Sequence, residues 1–431
     1  MGHLHRLKQQ YSELVERLGA GSVAMPEPDD ARARQGWQEL LEILFTPEEA
    51  ALASRLPVRP MTLGALATRL GTDAATLRAR LEPLCDKGIV LDVVDPRGGE
   101  PVYVLAPPVV GFFEFSLMRT DDGLPKKRLS EAYEAYMHGD DTFAREALGG
   151  DTSLGRALVH ESKLADEPMP DVLDWERASE VVSSARAWSV TSCYCRHKAL
   201  HLGRACDAPM EICMSLNGGA EFVARRGFGR AVERSEALEV LAAARERGLV
   251  QICDNVQRTP AWLCNCCGCC CELLAGITRY DLAAVNPSGF LPRRDPDRCA
   301  GCSRCARACP VGAITMVPVR EPGTRKNELA PVRDDDRCIG CGVCADACLK
   351  HALVMARSER PRVPVNAVER AVRMSLERGR LAELLVDGGD RLGARFLRRA
   401  LSAITNLPPA KQLLATEQVR SRFVRAALSR T

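Results

Sequence analysis

Apolar residues recur along the first hundred positions in two different rhythms. A short stretch over 11–18, and a stronger one carrying Trp37, Leu40, Leu41, Leu44 and Phe45, repeat at the three-and-four spacing of an amphipathic helix. A further helix is expected after Pro47, because proline suits the first position of a helix. Positions 62–70, a turn at Gly71 and positions 73–85 then read as helix, turn, helix. Two short runs rich in β-branched and apolar residues follow, 89–94 and 102–105, separated by the turn-forming Pro96-Arg97-Gly98-Gly99. Helices closed by a hairpin predict a winged-helix-like domain over 36–108, after a polar leader at 1–35.

The rhythm then loosens. Residues 109–187 read as a helical connecting region with Gly and Asp clusters at Gly139-Asp140-Asp141 and Gly149-Gly150-Asp151, and no catalytic signature stands out there. A Cys-rich middle domain is expected over 188–290. It includes a helix at 235–247, opened by Ser235 as cap and closed by Gly248. Residues 291–356 contain two matching Cys runs, and 357–431 returns to a helical pattern with 16 basic and seven acidic residues.

Length and composition fit this division. A chain of 431 residues with 46% hydrophobic and 27% charged residues suggests about three globular units. The net charge of +3 argues against a chain that is basic throughout. The predicted winged-helix region, 37–107, holds seven basic against ten acidic residues, which disfavours a phosphate-binding face. No apolar targeting core opens the sequence and no apolar run approaches the roughly 18 residues that span a bilayer, so the expectation is a cytoplasmic chain.

Cysteine changes the picture. Of the 20 cysteines, only Cys85 lies outside 193–348. Disulfide frameworks belong to small secreted chains, whereas here thiols stand side by side in a large one, so metal binding is the better reading. Cys299-Ala-Gly-Cys302-Ser-Arg-Cys305-Ala-Arg-Ala-Cys309-Pro310 is repeated as Cys338-Ile-Gly-Cys341-Gly-Val-Cys344-Ala-Asp-Ala-Cys348. Three closely spaced thiolates wrap three corners of one cubane while the fourth points to the other cluster. The expected ligation is therefore crossed. Cys299, Cys302, Cys305 and Cys348 would hold one [4Fe-4S] cluster, and Cys338, Cys341, Cys344 and Cys309 a second. Leu349 replaces the usual proline of the second run, and an insertion occupies about 320–329. The alternative for such Cys pairs is zinc.

Eleven more thiols precede this module: Cys193, Cys195, Cys206, Cys213, Cys253, Cys264, Cys266, Cys267, Cys269, Cys270 and Cys271. All but Cys253 are candidate ligands of an additional centre, with only some expected to bind. Four ligands complete a tetrahedral site, so the set has room for two sites, or for one beside redox-active thiols. If 264–271 were helical, Cys266, Cys267 and Cys270 would share a face; if extended, Cys267, Cys269 and Cys271 would. A third [4Fe-4S] cluster, a zinc ion and a disulfide or persulfide relay are the competing occupants. His197 and His201 read as hydrogen-bonding histidines, while Arg196 is suited to charge-assisted bonds with cluster sulfur or an anion.

The motifs Cys193-Tyr-Cys195-Arg-His197, Cys206-Asp-Ala-Pro-Met and Cys264–Cys271, with the repeated run, resemble a family of 4Fe-4S dicluster ferredoxin-domain proteins of anaerobic bacteria. The resemblance covers most of the chain from Trp37 onward. It implies a winged-helix N-terminus, a middle domain with these Cys motifs, a C-terminal dicluster ferredoxin and electron transfer in anaerobic metabolism. The expected fold class is α+β and multidomain, with a winged-helix-like N-terminal domain, a Cys-rich α/β middle domain, a ferredoxin-like 2x[4Fe-4S] module at 291–356 and a helical C-terminal extension. The leading functional expectation is an iron–sulfur electron carrier or oxidoreductase component. An acidic redox partner is expected to dock on the basic C-terminal helices bearing Arg395, Arg398, Arg399, Arg420, Arg422 and Arg425. The alternative is a redox-sensing winged-helix regulator, which the acidic balance of 37–107 weighs against.

Overall fold

The computed structural model describes residues 8–94, 99–164, 172–319 and 328–386. The chain packs as two units, one formed by 1–152 with 367–431 and the other by 153–366. The dividing line falls inside the region read from sequence as a helical connector. The turn at 95–98, most of the insertion near 320–329 and the arginines from Arg395 onward lie outside the described residues.

In the first unit the expected helices form where caps and apolar faces call for them. Asp30 accepts the amides of Arg32 and Ala33 to open Ala31–Leu44, so this helix begins inside the segment read as a leader. A further helix, Gln9–Leu18, also lies within that segment. Thr46 and Glu49 form a capping box at the start of Pro47–Ala53. Helices Leu63–Leu70 and Ala74–Asp86 are separated by Gly71, which ends the first in a left-handed conformation. Three short strands, β1 (Met61–Thr62), β2 (Val90–Val93) and β3 (Val102–Leu105), pair antiparallel in the order β1-β3-β2. Trp37, Leu40, Leu41 and Leu44 are buried. Their helix packs on Lys126–His138 so closely at Gly36 that a Cβ there would stand 2.6 Å from the Ala132 carbonyl. Edge-to-face contacts among Phe45, Phe112, Phe113, Tyr133 and Phe143 fill the interior.

The second unit is built on a seven-stranded sheet. Its strands are β4 (Gly155–Ala157), β5 (Trp188–Ser192), β6 (Glu211–Leu216), β7 (Gly229–Val232), β8 (Val250–Asp254), β9 (Trp262–Cys266) and β10 (Val285–Asn286). They run in the order β10-β4-β8-β9-β6-β5-β7, antiparallel except for β10 beside β4. Strand β4 comes from the segment read from sequence as a helical connector. The helix expected from Ser235 begins at Arg234, with Glu233 at the cap position and Ser235 already inside the first turn.

Beside this sheet, two-stranded ribbons carry the repeated Cys runs. β11 (Phe290–Arg294), which precedes the first run, pairs with β14 (Leu353–Arg357), which follows the second. β12 (Ile314–Val319), which follows the first run, pairs with β13 (Glu328–Arg333), which precedes the second. The exchange extends to the flanking turns, since Asp295 N donates to Ala352 O and Asp334 N to Ala313 O, each at 2.8 Å. Backbone conformation repeats as well. Gly301 and Gly340, Ser303 and Gly342, and Gly312 and His351 are matched positions, and all six have positive φ. At Gly340 a Cβ would lie 2.1 Å from the Phe290 carbonyl and 2.5 Å from Ser288 Oγ.

A buried ion pair closes the outer edge of this region. Glu176 takes a bidentate bond from Arg357, at 2.9 and 2.8 Å, and a second arginine, Arg360, at 3.3 Å. Arg357 also lies over the Phe290 ring, 4.0 Å from its centroid. Burial raises the Glu176 carboxyl pKa, but the bonds from Arg357 and the Leu173 amide outweigh it and hold the group below the usual range.

Three substitutions test these features through stability. Gly340→Ala, strained both by its left-handed backbone and by the Phe290 carbonyl, should lose at least about 2 kcal/mol in chemical denaturation. By contrast Gly64→Ala, in a helix with open space around the new methyl, should gain roughly 0.5–1 kcal/mol. Glu176→Gln should cost about 2–3 kcal/mol at pH 7, since it leaves two arginines without their acid and Arg360 is partly exposed. Because the native carboxyl is depressed, its contribution is full above the ordinary glutamate value of about 4.3 and is lost as pH falls through the lower native value. The gap between wild type and Glu176→Gln in denaturation midpoint should therefore narrow only below about pH 4.3.

Candidate iron–sulfur and thiolate centres

The exchanged ribbons bring each run's last cysteine toward the opposite run. Cys299, Cys302, Cys305 and Cys348 line one small apolar cavity, walled further by Met316 and Leu353. Cys309 lies near Cys338, Cys341 and Cys344, close enough for its charge to act on all three thiols. Burial, reinforced by the neighbouring sulfurs, pushes the Cys341 thiol up to about 12 and raises those of Cys305, Cys338 and Cys344. Metal ions that bind the deprotonated sulfur would offset that cost. Backbone amides are already aimed at two of the sulfurs, Ala313 N at Cys309 Sγ, 3.2 Å away, and Ala352 N at Cys348 Sγ, 3.3 Å away. Thiols, apolar walls and amide donors are the chemistry a cubane cluster requires, so the residues fit that group.

The middle thiols gather at one end of three adjacent strands, where β5 and β9 finish and β6 begins. They fall into two groups. Cys206, Cys267, Cys269 and Cys270 have sulfurs all within 4.8 Å of one another. Cys206 and Cys267 are 3.6 Å apart, Cys269 and Cys270 3.7 Å, and Cys206 and Cys270 3.9 Å. A tetrahedral ion with metal–sulfur bonds of about 2.3 Å sets its ligands about 3.8 Å apart, so this tetrad has the dimensions of a single-ion site. A hydrogen bond from Cys270, aided by Arg196, draws the Cys267 thiol down to about 4.

The other six, Cys193, Cys195, Cys271, Cys266, Cys264 and Cys213, form a closed ring in that order, each thiol shifting the acidity of the two beside it. Sheet register explains part of it. Met214 of β6 is paired with Leu263 of β9, so Cys213 and Cys264 stand together, and Cys264 and Cys266 share one face of β9. Cys195 lies in the first turn of helix Tyr194–His201, and Cys271 caps helix Glu272–Tyr280. These two helices are clamped by a buried ion pair between Lys198 and Glu272. Acidity alternates around the ring. Hydrogen bonds from their neighbours lower the pKa values of Cys193, Cys264 (to about 5) and Cys271 (to about 6), while those of Cys195, Cys213 and Cys266 are raised.

Arg196 lies between the two groups. It is 1% exposed and donates to the carbonyls of Pro209, at 3.0 Å, and Asn265, at 2.8 Å. Its charge acts on Cys193 and Cys213 of the ring and on Cys267 and Cys206 of the tetrad.

Neither uniform conformation considered for 264–271 occurs, because the run passes from strand through a turn to a helix cap. Cys253 belongs to neither group; its sulfur is 3.9 Å from Arg156 Nη2. His197 and His201 are linked Nε2 to Nε2 at 3.1 Å. Gly268 was not singled out from the sequence, yet its α-carbon is so close to the module that a Cβ would stand 2.6 Å from the Pro310 carbonyl. Pro310 directly follows Cys309, so the tetrad loop touches the loop of the second Cys quartet. A glycine inside an otherwise unbroken Cys run was the available signal.

Comparison with known proteins agrees with this geometry over part of the chain. A search of curated proteins finds no match. Residues 298–367 match the family described as the 4Fe-4S dicluster domain. The chain therefore contains a ferredoxin-like 4Fe-4S domain, and its cysteine clusters are consistent with iron–sulfur electron transfer.

Proposed function

We propose that the protein carries single electrons through two [4Fe-4S] clusters to or from a metal–thiolate centre in the Cys-rich domain, as a carrier or as the electron-transfer component of a redox enzyme. Cys299, Cys302, Cys305 and Cys348 would hold one cluster, and Cys338, Cys341, Cys344 and Cys309 the other. The observation that carries the reading is the exchange of strands β11–β14 and β12–β13, which supports crossed ligation of the kind the repeated spacing implies. The contact between Gly268 and Pro310 supports a route onward to the tetrad. Bound clusters would supply reversible one-electron chemistry. The protein's own part is to exclude water with Met316 and Leu353, to direct the Ala313 and Ala352 amides at sulfur, and to hold the two quartets together.

The first unit is read as a winged helix that serves as scaffold or docking module. The exposed positions of helix Ala74–Asp86 and its cap are mixed in sign, with two bases, Arg78 and Arg80, among three acids, Asp73, Glu82 and Asp86. Such a surface is poorly suited to phosphates. Protein of either redox state should show no duplex-DNA binding at physiological salt; nanomolar, redox-dependent binding would instead establish the regulator alternative.

Protein purified without oxygen should contain at least about eight irons and eight sulfides per chain and give ferredoxin-type paramagnetic signals on reduction. Cys348→Ala and Cys309→Ala should each disrupt one cluster and leave the other's signal in place. Zinc without sulfide, or equal loss of both clusters from either change in a folded protein, would refute the crossed two-cluster reading.

A further inference from the structure

The ring of six thiols is too open for one metal ion. Among the described residues, no three of its sulfurs lie within 4.8 Å of one another, although the adjacent tetrad meets that limit with four. A single tetrahedral ion needs all its ligands at about 3.8 Å from each other, so the tetrad satisfies the requirement and the ring does not. A cluster relaxes it, because its outer ligands are bound to different metal ions and stand correspondingly farther apart.

The surroundings of the ring call for negative charge. Five of its six cysteines are buried and Cys264 is half-buried. Arg196, a buried cation, faces Cys193 and Cys213 of the ring as well as Cys267 of the tetrad, with no carboxylate paired to it among the described residues, and its Nε atom has no hydrogen-bond partner. A buried guanidinium without a fixed counter-anion is costly. Thiolates held permanently ionised by metal provide that anion. The ring is also distinct from the tetrad while directly joined to it, because Cys266 belongs to one and Cys267 to the other.

We propose that Cys193, Cys195, Cys213, Cys264, Cys266 and Cys271 bind a multinuclear iron–sulfur cluster, separate from a single ion in the Cys206, Cys267, Cys269, Cys270 tetrad. Of the six sulfurs, a cubane would use four and a larger cluster up to all six. This assignment deepens the electron-transfer reading but has its own readout, since it concerns metal beyond the eight irons of the ferredoxin-like domain.

The test is iron, sulfide and zinc counting with Mössbauer and paramagnetic resonance spectra on anaerobically prepared full-length protein. Wild type should hold about four or more irons, with matching sulfide, beyond the roughly eight of two cubanes. The double variant Cys264→Ser, Cys266→Ser should lose that excess iron and sulfide while both ferredoxin-type signals remain. Cys269→Ser should retain the excess iron and lose the single tetrahedral ion. About eight irons in wild type would overturn the proposal, and this count decides the matter even if the double variant fails to fold. A folded double variant with undiminished iron and sulfide would overturn it equally. Absence of the ferredoxin-type signals from wild type, with iron and sulfide that the Cys264→Ser, Cys266→Ser change removes, would mark failure of the two-cluster reading rather than of the ring.

Discussion

Burying sulfur anions is the constraint that governs the second unit. A thiol in an apolar interior resists ionisation, as the raised values of Cys341 and Cys344 show. Hydrogen-bond donors and local positive charge counter this. In the ferredoxin-like part the directed contributors are the backbone amides of Ala313 and Ala352, with metal to complete the balance. In the middle domain Arg196 takes that role, and the helices presenting Cys195 and Cys271 are fixed by the Lys198–Glu272 pair. The sheet then serves to bring thiols from positions up to 78 residues apart, Cys193 and Cys271, onto one end of neighbouring strands.

The repeated half-modules show the same economy at the level of backbone. Matching left-handed positions at 301 and 340, 303 and 342, and 312 and 351 bend the two runs alike, though three different residue types occupy them. Glycine is required where space is short, as at Gly340 against Phe290, whereas Ser303 and His351 hold the same left-handed backbone with a side chain. Covalent sequence repeats only partly; the conformational repeat is more complete.

Much of this was legible in advance because it follows from local rules. Helix starts at Thr62 and Asp73, the stop at Gly71 and the apolar face from Trp37 to Leu44 are encoded within a turn or two of chain. The spacing of the repeated runs leads to an expectation of crossed ligation, and the strands flanking the two runs are exchanged. Strand β4 was not: Gly155-Arg156-Ala157 lacks β-branched residues, and its pairing with β8 is set by tertiary contacts about a hundred residues away. The division of the middle cysteines was hidden for a related reason. Periodicity sorts residues within one element, whereas 264–271 crosses three, so that consecutive residues Cys266 and Cys267 serve different groups.

The seat of Gly340 has a practical meaning for anyone wishing to isolate the ferredoxin-like part. The matched family region begins at residue 298, but the carbonyl of Phe290 and the hydroxyl of Ser288, which donates to Gly340 O at 2.7 Å, lie upstream of it. So does β11, the partner of β14. A fragment trimmed to the homologous boundary would discard one rail of its own ribbon and bare the backbone beside Cys341. The natural cuts lie instead near residues 153 and 366, where the chain itself changes units, and the piece between them keeps every cysteine but Cys85.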